Sequence, residues 1–182
     1  MKLRKFIATT IREYLNESDK TNLTPDLYKL VKSDEFKKWF GDWENDKENA
    51  SKVVDENGVP LLVYHGSKED NIQQFKGGEN YTSGGGIYFT NSLIGAKSYS
   101  RNPTIYKAFL NIRNPEIKNA NGRKWDEVEI DVSIWDIVKK AKNSGYDGVI
   151  VKNVIDLGGY TQFLDSTQDD YVVFNSNQIK MV

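Results

Sequence analysis

Four side chains, spread over much of the chain, are of types that act together on a glycosidic bond: the imidazole of His65, the phenols of Tyr88 and Tyr99, and the carboxyl of Asp170. An imidazole can hydrogen-bond sugar hydroxyls, and flat phenol rings can hold a flat leaving group. A carboxylate can stabilise the positive charge that develops on the sugar as that group departs. His65 is the only histidine and closes an apolar run, Leu61-Leu62-Val63-Tyr64-His65-Gly66-Ser67. Tyr88 lies in Gly86-Ile87-Tyr88-Phe89-Thr90, Tyr99 follows it by eleven positions after Ala96-Lys97-Ser98, and Asp170 immediately precedes Tyr171-Val172-Val173-Phe174. Taken alone, each has an ordinary reading. A lone histidine at a strand end is more often structural, tyrosines in strands are usually sheet packing, and an aspartate before a strand is usually solvated or a turn former. Their joint occurrence in this order points to a site.

Positioning these groups requires strands ending at or near them. Asn57-Gly58, a two-residue turn signal, separates Lys52-Val53-Val54-Asp55 from Pro60-Leu61-Leu62-Val63-Tyr64 and predicts a hairpin whose second strand ends at His65. The polar, glycine-rich stretch from Asn71 to Gly86 reads as a mobile loop able to cover a ligand. A short strand at Ile87-Tyr88-Phe89, a short helix over Ser92–Arg101 and an alternating strand over Ile105–Ile112 follow. Ile134, Ile137, Val138 and Ala141 form a helical stripe closing at Gly145, before strand candidates at Gly148–Val151 and Tyr171–Phe174. Upstream, Leu3, Phe6, Ile7, Ile11, Tyr14 and Leu15 mark an amphipathic first helix. Thr24-Pro25-Asp26 opens a second, and Ser33-Asp34-Glu35 a third whose Phe36, Trp39, Phe40 and Trp43 share one face. Helices first, then strands with inserted helices, predict an α+β fold.

Composition narrows the chemistry. The 182 residues, 38% of them hydrophobic, suffice for a single core. With 25 Lys and Arg against 26 Asp and Glu, the net charge of -1 implies no general attraction to nucleic acid or anionic membranes. There is no cysteine, and a lone histidine cannot make a multi-histidine site, so no metal is expected. The basic start, Met1-Lys2-Leu3-Arg4, lacks a signal-peptide core because Arg12 and Glu13 interrupt it, and no stretch spans a bilayer. A soluble, cytoplasmic protein without a membrane partner is the expectation.

Taken together, the four groups resemble the His-Tyr-Glu signature of ADP-ribosyltransferases of the diphtheria-toxin and poly(ADP-ribose) polymerase type. The eleven-residue spacing from Tyr88 to Tyr99 matches that motif, in which a short helix returns a second tyrosine to the site. The stretches Phe36 to Gly41-Asp42-Trp43, Lys52 to Gly58, Gly145-Tyr146-Asp147-Gly148-Val149-Ile150 and Phe174 to Lys180 further resemble the ADP-ribosyltransferase domain of phage and mobile-element polyvalent proteins.

Residues 1–34 read as an N-terminal helical lead, and the resemblance implies a catalytic domain over 35–182. That domain would have a split antiparallel sandwich, peripheral helices, and NAD as co-substrate in the cleft. It implies that His65 bonds the ribose hydroxyls, that the Gly66 backbone reads the nicotinamide carboxamide, and that Tyr88 and Tyr99 stack on opposite ring faces. Ser67 and Phe89 complete the NAD-binding set, and Asp170 stands where the family usually has glutamate, bonding the ribose 2′-hydroxyl. His65, Tyr88 and Asp170 form the catalytic set. Two departures fall inside the match. Ala96 replaces a frequent serine, a lost bond worth on the order of 1 kcal/mol, and Asp170 is one methylene shorter.

The implied activity is transfer of a single ADP-ribose from NAD to a host protein or nucleic acid, in the manner of a toxin-like effector in an infected bacterium's cytoplasm. The departures leave a catalytically weak or inactive NAD- or ADP-ribose-binding module and NAD hydrolysis as alternatives, with polymer formation least expected, and tyrosines that merely pack would make it a plain interaction protein. The sequence says nothing of oligomeric state. Other motifs are weaker. Glu127-Val128-Glu129 mimics a Glu-x-Glu pair but lacks the Ser-Thr-Ser strand before it, and Gly84-Gly85-Gly86 lacks the Lys-Ser/Thr of a phosphate loop.

Overall fold

The computed structural model describes residues 21–76, 84–99, 101–128, 132–156, 158 and 167–182. The expected first helix, the centre of the glycine-rich loop and Glu129 lie outside the described residues. Helix α1, Pro25–Lys32, is capped by Thr24, whose side chain accepts the Leu27 N–H, with proline at the first position. Ser33 then serves two helices. Its Oγ donates to the Leu30 carbonyl at 2.7 Å and accepts the Phe36 N–H at 3.3 Å, closing α1 and opening α2, Asp34–Phe40. Ser33→Ala removes both bonds and is expected to lower stability by about 1 kcal/mol, read as a lower urea midpoint with unchanged slope.

The helix expected to run through Trp43 stops at Gly41, which has φ 101° and no room for a side chain: a Cβ there would lie 2.4 Å from Ala50 Cα. Trp43 leaves the helix yet stays buried, donating its indole N–H to the Val31 carbonyl at 2.9 Å. The Asn57-Gly58 hairpin is also shorter than expected. Val54 makes a single bridge to Pro60, and Asp55 Oδ1 accepts the N–H groups of both Asn57 and Val59 at 2.9 Å. The upstream flank is committed elsewhere, with Lys52 N–H on the Ile112 carbonyl at 2.7 Å.

The strands are β1 Val63–Ser67, β2 Ile87–Thr90, β3 Thr104–Leu110, β4 Pro115–Asn119, β5 Gly148–Val154, β6 Gln168–Val173 and β7 Ile179–Met181. They form one sheet ordered β4-β5-β6-β2-β1-β3-β7, antiparallel except for β4 beside β5. With α3, Leu93–Lys97, and α4, Ile134–Asn143, the fold is α+β with peripheral helices. Among the described residues no helix is long and apolar enough to cross a membrane.

Register assigns the faces. Tyr64 opposes Thr90, Thr90 opposes Asp170, and Tyr88 opposes Val172, so these side chains share one face. The α4 side chains Ile137, Val138 and Ala141 cover one end of that face through Val149, Val151 and Val172. At the other end α1 and α2 cover Leu62 and Phe109, with Phe36 edge-on to Phe109 at 5.1 Å. The opposite face holds Val63, Phe89, Ala108, Ile150, Tyr171 and Val173 in one apolar cluster. The middle of the first face is left for α3 and a pocket. There the sheet is at its weakest, because β1 and β2 share one residue pair whereas β1 and β3 share five.

Candidate active site

The break between β1 and β2 is filled by a side chain. The ring of His65 packs on the core face against Phe75 (4.9 Å), Phe89 (5.4 Å) and Tyr106 (6.5 Å), and its Nδ1 lies 2.7 Å from the Tyr88 carbonyl oxygen. A carbonyl only accepts, so Nδ1 carries the proton and donates it, replacing a missing ladder bond. Burial pushes the His65 pKa below its ordinary value, outweighing the carbonyl, which acts the other way. The ring is therefore neutral and offers Nε2 as an acceptor. The imidazole thus spends its one N–H on the fold.

Across the break lies a pocket of about 80 Å³, lined by Tyr64, His65, Gly66, Tyr88, Phe89, Thr90, Ala96, Tyr99, Asp156 and Asp170. Gly66 lets α3 approach β1: a Cβ there would meet the Ala96 carbonyl oxygen at 1.9 Å. Ser92 caps α3 through the Gly95 N–H at 3.0 Å. Buried Ser98 ends it, donating to the Gly95 carbonyl at 2.6 Å and accepting the Gly158 N–H at 2.7 Å, which draws the segment after β5 against α3. Tyr99 follows at the rim, 44% exposed.

The pocket floor is acidic. Asp170, 3% exposed, accepts the indole N–H of Trp125 at 2.6 Å and the side-chain amide of Gln168 at 2.8 Å. Asp156 lines the same pocket and accepts the hydroxyl of Tyr99. A parallel bridge between Lys124 and Ile155 sets Trp125 and Asp156 side by side. Burial first, then the charge of Asp156, hold the Asp170 carboxyl well above the usual range, against the opposing pull of its two donors. Burial and the same two carboxyls raise the Tyr88 phenol, whose ring stands edge-on to Trp125 at 6.3 Å. Among the described lining residues none is cationic, so the pocket suits a group that is or becomes positive.

Residues 55–182, more than two thirds of the chain, match the family model for the ADP-ribosyltransferase in polyvalent proteins. The chain belongs to this family. No curated protein matches it. It thus carries an ADP-ribosyltransferase domain, of a kind whose members use NAD as substrate.

Within this ADP-ribosyltransferase domain, the structure brings His65, Gly66, Tyr88, Phe89, Tyr99 and Asp170 to one pocket and leaves Ser67 outside it. Ser67 lines an adjoining cavity of about 640 Å³ that shares His65 and Tyr88 and extends over Glu69 to Lys76. Phe89 is 2% exposed, packed under His65 with its ring in the core, so it supports the site from beneath. His65 lies within β1 and Asp170 within β6, each inside its strand where sequence placed it at a boundary. Three participants escaped the sequence. Gln168 shares a strand face with Asp170 at i, i+2, a signal hidden by starting that strand too late. Trp125 has an indole N–H that needs a partner once buried. Asp156 follows β5 with no local motif to mark it.

Proposed function

We propose that this domain transfers a single ADP-ribose unit from NAD to a macromolecule of a bacterial host and releases nicotinamide. The observation that carries this reading is the convergence of His65, Tyr88, Tyr99 and Asp170, from four separate segments, on one acidic pocket. The pocket is far smaller than the roughly 300–1,000 Å³ of a typical small-molecule site, so it takes one end of a dinucleotide. In this reading the nicotinamide ring sits between Tyr88 and Tyr99, and the adjoining cavity takes the rest of NAD. Neutral His65 accepts a ribose hydroxyl at Nε2. The bond from ribose C1′ to the ring nitrogen breaks, and its electron pair leaves with nicotinamide. The carboxyl pair faces the resulting ribosyl cation. The acceptor's nucleophilic atom then bonds C1′, and its proton passes to a carboxylate and on to water.

Incubating the protein with NAD labelled in its adenylate, together with bacterial lysate, tests the reading. Label is expected in a band removed by protease or by nuclease, whichever names the acceptor class, with nicotinamide released in equal amount. No labelling and no nicotinamide release would overturn it. A second reading, hydrolysis of NAD with water as acceptor, is favoured by Asp170, one methylene shorter than the glutamate usual at that position. It predicts nicotinamide release without label transfer.

A further inference from the structure

Asp156 and Asp170 line one pocket, and burial together with the neighbouring charge of Asp156 favours a proton on the Asp170 carboxyl. The partner that holds it is decided by surroundings. Asp170 is 3% exposed, lies in the middle of β6 and is walled in by Trp125, Gln168 and the sheet. Asp156 is only partly buried, sits on the irregular segment after the β5 bulge, and accepts the Tyr99 hydroxyl at the rim. Among the described residues, the other charged groups do not relieve Asp170. Lys152 is bound to Asp169 at 2.8 Å, on the other face of β6 from Asp170, and burial keeps the His65 ring neutral.

We propose that Asp156 is the catalytic carboxylate of this domain, facing ribose C1′ and receiving the acceptor's proton, while Asp170 is a positioning residue that donates a hydrogen bond to it. The inference rests on the transferase reading above and assigns the anion of that site to a residue outside the family signature. It also accounts for an aspartate at the signature position. A shorter side chain there withdraws from the ligand, and the reach it loses is supplied from the facing segment. Tyr99 gains a second task, holding Asp156 at the pocket mouth through its hydroxyl while its ring lines the nicotinamide position.

The test compares the full chain with Asp156→Asn and Asp170→Asn, measuring nicotinamide release, NAD affinity by calorimetry, and carboxyl absorption by infrared difference spectroscopy. Asparagine at 170 can still donate to Asp156, because the Gln168 amide can turn over to accept its other N–H. Asp156→Asn is expected to lower turnover at least about a hundredfold (~2.7 kcal/mol in barrier) with NAD affinity little changed, and Asp170→Asn only about tenfold. At neutral pH the parent protein is expected to show protonated-carboxyl absorption that Asp170→Asn removes. The reverse ranking, equal losses, or no protonated carboxyl in the parent overturns the assignment. The infrared result stands whether or not the protein turns over NAD, so failure of the transferase reading, seen as absence of nicotinamide release by the parent, is recognised separately. Thermal melts of each variant show whether a loss reflects unfolding, and Asp156→Glu, which restores the anion, is expected to recover part of the activity where unfolding is not the cause. No recovery in a folded Asp156→Glu protein counts against the assignment.

Discussion

Replacing Gly66 with alanine is expected to abolish NAD-dependent labelling and to cost about 3 kcal/mol of stability or more, at the upper end of what inserting a methyl into a packed site costs. The added Cβ would lie 1.9 Å from the Ala96 carbonyl oxygen and 2.9 Å from its carbon, and both atoms belong to backbone. No rotamer change relieves that overlap, so β1 and α3 must separate. Separation breaks the site at three points. Ala96 leaves the pocket wall, Tyr99 moves with the end of α3, and the Ser98 hydroxyl loses its grip on Gly158 and with it the placement of Asp156. The His65 contact with the Tyr88 carbonyl lies on the other face of the sheet and survives. Circular dichroism with urea unfolding measures the first effect and nicotinamide release the second. A variant that melts and labels like the parent would show that the close approach of α3 is not what forms the site.

The sheet's break joins fold to function. A continuous β1–β2 ladder would leave no room for a ligand edge between the strands, and the Tyr88 carbonyl would be satisfied by backbone. With one residue pair joining these strands, the carbonyl needs another donor, and the lone histidine supplies it at 2.7 Å. The same bond fixes the tautomer and leaves Nε2 as an acceptor, so one imidazole both completes the sheet and prepares the site. In the proposed reading, the structural and functional roles of this strand histidine are therefore not alternatives.

The candidate site groups were legible through the family resemblance, which rests on short apolar strands with a local pattern: His65 after Leu61-Leu62-Val63, Tyr88 after Gly86-Ile87, Asp170 before Tyr171-Val172-Val173. The eleven-residue return to Tyr99 was legible for the same reason, since a capped five-residue helix occupies the interval. Long-range closure was not. Asp156 reaches the pocket through the Lys124–Ile155 bridge and the Ser98–Gly158 bond, contacts whose partners are remote in sequence. Trp125 gave no local signal, because the carboxyl it serves is 45 positions away. The same limit applies to Gly41: periodicity carried the helix through to Trp43, and only the proximity of Ala50 explains why it stops.

Asp170→Asn is expected to make the protein more stable than the parent at neutral pH and to lose that advantage in acid. In the unfolded chain Asp170 ionises near its ordinary value of 3.8, whereas burial and the charge of Asp156 hold it well above that in the folded state. Between the two values the folded protein retains a proton that the unfolded chain has released. Stability therefore falls as pH rises through that window, by up to about 1.4 kcal/mol per pH unit. The contribution is fully present below 3.8 and fully lost above the raised folded value. Asparagine carries no titrating proton at this position, so the difference between variant and parent grows across the window and levels off beyond it. His65, whose pKa is lowered by burial, makes both proteins less stable as pH falls below its ordinary 6.5, and that loss cancels in the difference. Urea unfolding of both proteins from mild acid to neutral pH measures the curve. A difference that stays flat would mean that Asp170 ionises like an ordinary carboxyl. A rising one would show that the fold gives up stability at neutral pH to keep Asp170 buried beside the charge of Asp156.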